Sequence, residues 1–184
     1  MKEVLVYENQ RVQVFDDEIR RPDGKPDTYF HMQYRNAPDG AVIVPELPDG
    51  RLLMLGIRRY AFDEDSLEFP RGGAKDGERE EDAALRELWE ETGLQPAKLI
   101  AIGHCRPDTS ILRVDATVYV AKLAASAEKA VQVQEQEAIH GYAWMTGDEI
   151  LRTAAAGGVR DGFSLSAFTL YLAYKLENAT VEEG

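Results

Sequence analysis

Three carboxylates, Glu87, Glu90 and Glu91, fall in the stretch RELWEETGL directly after Arg86. If the stretch is helical, positions i, i+3 and i+4 share one face at about 100° per residue. Like charges at that spacing cost a helix roughly 0.2–0.5 kcal/mol per pair. A cation bound between them would remove that cost. An all-oxygen carboxylate set suits Mg²⁺ or Mn²⁺ rather than zinc. The alternative is a solvated acidic helix in which Arg86 and Glu90 form an i, i+4 ion pair. The preceding residues bear on the choice. EFPRGGAKDGE is a glycine-rich loop entering the helix. Glycines let backbone atoms approach a ligand closely, and a backbone carbonyl there can complete a metal shell.

The elements that must position these groups are legible in outline. GEREEDAALRELWEETG has good helix formers and no internal Gly or Pro. Glu80, Glu81 and Asp82 suit its first turn, Gly93 its end, and Ala84 and Leu88 lie on another face able to pack on a sheet. Upstream, EVLVYENQRVQVFDDEI reads as two β-rich runs around a turn at Glu8, Asn9 and Gln10. A Pro-Asp-Gly turn and the aromatics Tyr29, Phe30 and Tyr34 follow. AVIVPELPDGRLLMLGI predicts a hairpin around Pro48-Asp49-Gly50. KLIAIGHC, ATVYVAKL and GYAWMT read as strands. Thr146 and Glu149 form a capping-box pattern for a helix that stops at Gly157-Gly158. A last helix places Leu165, Phe168, Leu172 and Leu176 at core-facing spacing. There is no internal repeat and no regular βαβ alternation, so the class is α+β, layered or sandwich-like.

Composition narrows the function. A length of 184 residues predicts one domain with its own core, and 44% hydrophobic residues predict a globular chain. The net charge of −12 argues against a nucleic-acid partner bound through a broad basic face. An anionic small molecule remains compatible, because bound divalent cations reverse the local field. Cys105 is the only cysteine, so no internal disulfide forms, which fits a reducing, cytoplasmic location. No apolar run has the length of a membrane span, and the first residues lack the features of a secretory signal; no membrane partner is expected. His31, His104 and His140 are scattered without metal-ligand pairing, and Trp89 is expected to pack.

Residues 72–94 resemble the Nudix box: Gly, five residues, Glu, seven residues, then Arg-Glu-apolar-x-Glu-Glu-x-Gly-apolar. Gly72, Glu78, Arg86, Glu87, Leu88, Glu90, Glu91, Gly93 and Leu94 match every defined position. The resemblance implies an α/β/α sandwich around a mixed sheet. It also implies hydrolysis of a nucleoside diphosphate linked to another moiety, with Mg²⁺ or alternatively Mn²⁺. Carried over by position, Glu87, Glu90 and Glu91 would be metal-binding carboxylates, and Arg71 would lend its backbone carbonyl. Arg86 would hold a box glutamate in place rather than touch substrate, and Glu78 would be structural.

Less specific similarity to ADP-ribose and nucleotide-sugar pyrophosphatases covers most of the chain. RRYAFDEDSLEFPRGG carries their Arg-aromatic pair, Arg59 and Tyr60, before Glu68, Pro70 and Gly72. EQEAIHGYAWMTGDEI resembles their acidic loop, strand and helix, and GGVRDGFSLSAFTLYLAYKL their last turn and helix. This implies a phosphate contact from Arg59, against an ion pair of Arg59 with Asp63, Glu64 or Asp65. Tyr60, like Tyr29 and Phe30, is a candidate to contact substrate by stacking on a base, against a place in the core. The resemblance also implies a base or metal ligand from the loop after the box, where Glu135 and Glu137 are the candidates. It divides the chain into a β-rich N-terminal extension over 1–40, which in that subfamily supports a homodimer, and a hydrolase domain over 41–184. One departure is CRPDTSILRV, where those enzymes carry Ser-Pro-Gly and then Ser-x-Glu. ADP-glucose, GDP-mannose and other nucleoside diphosphate sugars therefore stand beside ADP-ribose as expected substrates. Hydrolysis of nucleoside triphosphates or dinucleoside polyphosphates, and a non-catalytic nucleotide sensor, are the alternatives.

Overall fold

The structure is a computed structural model that describes residues 2–35, 39–133 and 138–182, with side chains through 179. Strands β1 (Leu5–Glu8), β2 (Val12–Arg20) and β3 (Pro26–Tyr34) form an antiparallel sheet in that order. The first turn forms where expected. Asn9 Oδ1 accepts the backbone N–H groups of Arg11 at 2.7 Å and Val12 at 2.9 Å.

The second sheet contains β4 (Asp39–Glu46), β5 (Leu52–Arg59), β6 (Glu64–Glu68), β7 (Arg71–Gly73), β8 (Lys98–Cys105), β9 (Asp115–Lys122) and β10 (Ile139–Met145). Its order is β10-β5-β4-β9-β8, with β6 on β5 and β7 on β4. Among the described strands of this sheet only β4 and β9 run parallel, so the sheet is mixed. Among the described residues three α-helices, α1 (Glu80–Thr92), α2 (Gly147–Ala155) and α3 (Gly162–Glu182), and a short 3-10 helix over Ala125–Lys129 complete the fold.

Alternation along the central strands assigns each helix its side. Ala41, Ile43, Leu53 and Leu55 pack with Ala84 and Leu88 of α1. Their neighbours Val42, Val44, Leu52 and Met54 pack with Ile150 of α2 and Phe163 and Phe168 of α3. Helices therefore cover both faces, which is the expected α/β/α layering. The N-terminal sheet is tied on by backbone bonds: Met32 N–H to Ile111 O at 2.7 Å and Arg113 N–H to Met32 O at 2.8 Å.

Several expectations change in detail. The β4–β5 hairpin forms, with Gly50 at φ 85°, but pairs only at Glu46 and Leu52. Beyond that point β5 is paired by β10 and β6, while β7 lies along the start of β4. The start of the glycine-rich loop is thus a short strand, because its backbone meets an open edge of β4. On α3 the buried side chains are Phe163, Ser164, Ala167, Phe168 and Tyr171, whereas Leu165 and Leu176 are exposed. Trp89 is also half-exposed rather than packed, since α1 turns Ala84 and Leu88 to the sheet. The capping box at Thr146 and Glu149 forms in both directions.

Candidate active site

Helix α1 starts with Glu80, Glu81 and Asp82 in its first turn, beside the unsatisfied N–H groups. It ends at Gly93, whose left-handed φ of 68° lets its N–H donate to the Trp89 carbonyl at 2.8 Å. The sheet contact of Ala84 and Leu88 fixes the rotation of the helix. That rotation buries Glu87 to 8% and Glu91 to 5% exposure, facing the box loop, while Glu90 stays half-exposed.

Arg86 organises the cluster. Its Nε and Nη2 donate to Glu78 at 2.9 and 2.8 Å, and its Nη1 to Glu87 at 2.7 Å and Glu90 at 2.9 Å. A further Nη2 bond reaches the Gly73 carbonyl at 2.9 Å. These bonds match the five donors of a guanidinium. The expected Arg86–Glu90 pair is therefore present, but the helix face is not merely solvated, because the same guanidinium holds the buried Glu87. Repulsion within the triplet is offset inside the protein. The Arg86 hydrogen bonds, with the Lys75 N–H at 2.8 Å, hold the Glu78 carboxyl down to about 2. The same Glu78 bonds push the Arg86 guanidinium further up, so it stays charged.

Strand β7 brings backbone to these carboxylates. Gly72 lies opposite Ala41 of β4, and a Cβ at Gly72 would overlap the Glu87 carboxyl group. Only glycine allows that approach. Arg71 N–H donates to Glu91 Oε2 at 3.2 Å. In an extended strand the N–H and C=O of one residue point to the same side. The Arg71 carbonyl accordingly faces the side of Glu91. Glu87, Glu90, Glu91 and this carbonyl offer oxygen only, which fits Mg²⁺ or Mn²⁺.

Beside this loop stands a second network. Arg59 Nε donates to Glu68 Oε1 at 2.7 Å and its Nη2 to Glu68 Oε2, while Arg71 Nη2 reaches the same oxygen at 3.3 Å. Glu68 is 1% exposed. Burial pushes its carboxyl up, but the hydrogen bonds of Arg59 and the charge of Arg71 outweigh burial and hold it below its ordinary value. Arg71 also reaches Asp161 Oδ1 at 3.3 Å and lies 4.7 Å over the Phe163 ring. Asp161 in turn accepts the Ser164 N–H at 2.9 Å at the start of α3. None of the three ion-pair partners expected for Arg59 is used. Arg58 takes Asp63 and Asp65, because alternation puts Arg58 and Arg59 on opposite faces of β5, and Glu64, which lies opposite Arg59, is taken by Arg160. The reach of Glu68 to two arginines had one sequence signal, its place three residues before Arg71.

Tyr60 is 98% exposed on the turn after β5. Glu135 and Glu137 lie outside the described residues. The histidine reading needs one correction. His31 Nε2 is 3.0 Å from Asp17 Oδ2, and Glu3, Asp17 and His31 form a group with ligand atoms within 4.8 Å of one another. The β2–β3 register, Phe15 opposite His31, brings them together, and Arg113 lies 3.4 Å from Glu3. A cavity of about 400 Å³ opens between the box loop and the N-terminal sheet, lined by Arg71, Gly72, Gly73, Arg11, Tyr34 and others.

Comparison with known proteins places this geometry. The sequence matches the family model of the NUDIX domain over residues 36–163, more than half of the chain. The Bacillus subtilis (strain 168) ADP-ribose pyrophosphatase is 26% identical over 97 residues, 53% of this chain and 51% of that protein. The RNA pyrophosphohydrolase of Wolbachia sp. subsp. Brugia malayi (strain TRS) is 58% identical over 41 residues, 22% of this chain and 26% of that protein. The chain thus spans about a quarter to a half of these curated relatives. A solved structure described as an ADP compounds hydrolase superposes with a TM-score of 0.73 at 17% identity, covering 97% of this chain and 96% of that one. That likeness shows the fold, mixed sheet and helices together. On the box cluster and the family match, the chain belongs to the NUDIX family.

Proposed function

We propose that this protein hydrolyses the pyrophosphate bond of ADP-ribose or a related nucleoside diphosphate sugar, giving a nucleoside monophosphate and a sugar phosphate. The observation that carries the reading is the meeting of Glu87 with Gly72 and of Glu91 with the Arg71 N–H, beside an open cavity. Glu87, Glu90, Glu91 and the Arg71 carbonyl would hold Mg²⁺ or Mn²⁺. When bound, the metal neutralises the pyrophosphate and activates water. Arg86 fixes Glu87 and Glu90 and does not reach for substrate. Water attacks one phosphorus, the bridging P–O bond breaks, and the leaving phosphate carries the electron pair. Glu137, or Glu135 beside it, is proposed to take the proton of that water. Arg59 lies within the field of Glu91 and is proposed to meet a phosphate while Glu68 anchors it. Tyr60 is free to stack on an entering base.

The relationship to the Bacillus subtilis ADP-ribose pyrophosphatase supports this substrate class, since it extends over twice the length of the RNA pyrophosphohydrolase match. A homodimer is also proposed. The N-terminal sheet exposes Leu5, Val6, Tyr7, Tyr29 and Phe30, apolar side chains of the kind that mark contact surfaces. Light scattering on a sizing column tests that assembly. A cytoplasmic setting fits the single, buried cysteine, and no described helix is long and apolar enough to cross a membrane.

Phosphatase-coupled phosphate release tests the activity. The panel is ADP-ribose, ADP-glucose, GDP-mannose, dinucleoside polyphosphates, nucleoside triphosphates and 5′-triphosphorylated RNA, each with Mg²⁺ and Mn²⁺. Turnover of one diphosphate sugar that disappears in Glu91→Gln, with the thermal midpoint kept, is expected. Preference for a triphosphate or RNA overturns the substrate class, and nucleotide binding without any turnover overturns the enzyme.

A further inference from the structure

Helix α3 meets the box loop at its first turn. Asp161 directly precedes α3, and its Oδ2 accepts the Ser164 N–H at 2.9 Å, the bond of an N-cap residue. That cap is complete by itself. Both side chains nevertheless reach a segment 90 and 95 residues away in sequence. Ser164 is fully buried; its Oγ–H donates to Asp161 Oδ2 at 2.8 Å, and its Oγ accepts the Phe69 N–H at 3.0 Å. Asp161 Oδ1 accepts Arg71 Nη2 at 3.3 Å. Capping a helix requires neither of these distant bonds.

The segment so gripped is the entry to β7. Phe69 is buried in the core, and Pro70 has no N–H to offer. The Pro70 carbonyl accepts the Ile43 N–H at 2.9 Å, which ties the segment to β4. The Arg71 N–H then donates to Glu91, and the Arg71 side chain is shared between Glu68 and Asp161. The frame behind these bonds is itself fastened. Leu67 N–H donates to the Gly158 carbonyl at 3.3 Å, and Arg160 pairs with Glu64 at 2.7 Å, so the turn before α3 is joined to β6.

A side-chain ligand can be re-aimed by a change of rotamer, but a backbone carbonyl moves only with the torsions beside it. Mg²⁺ demands near-ideal octahedral geometry, so a carbonyl ligand must be held from outside. We propose that Asp161 and Ser164 are positioning residues for the metal site, the first turn of α3 fixing residues 69–71 so that the Arg71 carbonyl stays turned to the side of Glu91. This rests on the reading above, in which that carbonyl and the box carboxylates hold Mg²⁺ or Mn²⁺.

The test uses the full chain with Asp161→Asn, Ser164→Ala and, as a control for stability alone, Thr146→Ala. Asparagine caps a helix as well as aspartate, but with its oxygen on the Ser164 N–H it turns an amide NH₂ toward Arg71. Alanine at 164 keeps the capped N–H and removes only the hydroxyl. Thr146→Ala opens the capping box of α2, at the end of β10. Mn²⁺ affinity is measured without substrate by water-proton relaxation, and the Phe69 and Arg71 amides are followed by hydrogen exchange. Asp161→Asn and Ser164→Ala should each weaken Mn²⁺ about 10-fold and raise the metal concentration for half-maximal turnover equally, with kcat at saturating metal changed less than about threefold. The Arg71 amide should exchange faster in both. Thr146→Ala should lower the thermal midpoint and leave Mn²⁺ affinity and Arg71 exchange as in wild type. Wild-type Mn²⁺ affinity in either α3 variant overturns the assignment of that residue. Equal weakening in Thr146→Ala traces the effect to lost stability and overturns both. A wild-type protein that binds Mn²⁺ no more tightly than Glu91→Gln overturns the metal reading itself, whatever the α3 variants do.

Discussion

Replacing Gly72 by alanine separates the box geometry from general stability. The added methyl would sit inside the Glu87 carboxyl group. Carbon atoms rest about 3.5–4.0 Å apart, so the carboxylate must retreat by more than about 1 Å. The obstacle is the far end of a flexible side chain, so the fold should adapt at a cost of roughly 1–3 kcal/mol, set by the loss of the charged bond from Arg86. Function should suffer far more, because a displacement of about 1 Å in a catalytic constellation can cost about 100-fold in rate. The assay pairs chemical denaturation with Mn²⁺ titration followed by water-proton relaxation, and with kcat at saturating metal. The expected result is a chain that remains folded, binds Mn²⁺ at least 10-fold more weakly and loses about two orders of magnitude in kcat. Wild-type Mn²⁺ affinity in Gly72→Ala would falsify the claim that Glu87 must lie against the loop backbone to hold metal.

Three more outcomes follow from the charge networks. Arg86→Lys keeps one charge but cannot reach Glu78, Glu87, Glu90 and Gly73 together, so urea denaturation should show a loss of about 1–3 kcal/mol and kcat should fall with it. Unchanged stability would refute the organising role. Glu68→Leu leaves two guanidinium groups facing a buried apolar side chain and should cost about 3–5 kcal/mol, read from the denaturation midpoint. A stable Glu68→Leu variant would show that Arg59 and Arg71 find other partners. Glu78 titrates near 2 when folded against an ordinary value of 4.5, so its contribution is fully present above about 4.5 and is lost as pH falls through about 2. Thermal midpoints between those limits should fall more steeply in wild type than in Glu78→Gln; parallel curves would count against the Arg86–Glu78 bond.

The contrast between sequence and structure is clearest around α1. Its span, its acidic first turn, its glycine stop and the buried Ala84 and Leu88 were all legible, because they depend on local periodicity and capping. So was the candidacy of Glu87, Glu90 and Glu91, because helical spacing places them together whatever surrounds them. Burial of Glu87 and Glu91, but not Glu90, was not legible, since it depends on where the box loop crosses the helix. The same limit applies to β7, a glycine-rich run that becomes a strand only because the start of β4 offers it an edge. The neighbours of Arg59 in sequence suggest Asp63, Glu64 or Asp65; the structure bonds it to Glu68 instead, although the β5–β6 register sets Glu64 opposite it and Leu55 opposite Glu68. Arg11 joins the cavity only because the N-terminal sheet docks through Met32 onto residues 111–113. Residue type and short-range spacing therefore determined which groups could do chemistry here. Contacts between segments far apart in the chain decided which charges face one another, because strand register and sheet docking are set by the packing of the whole core.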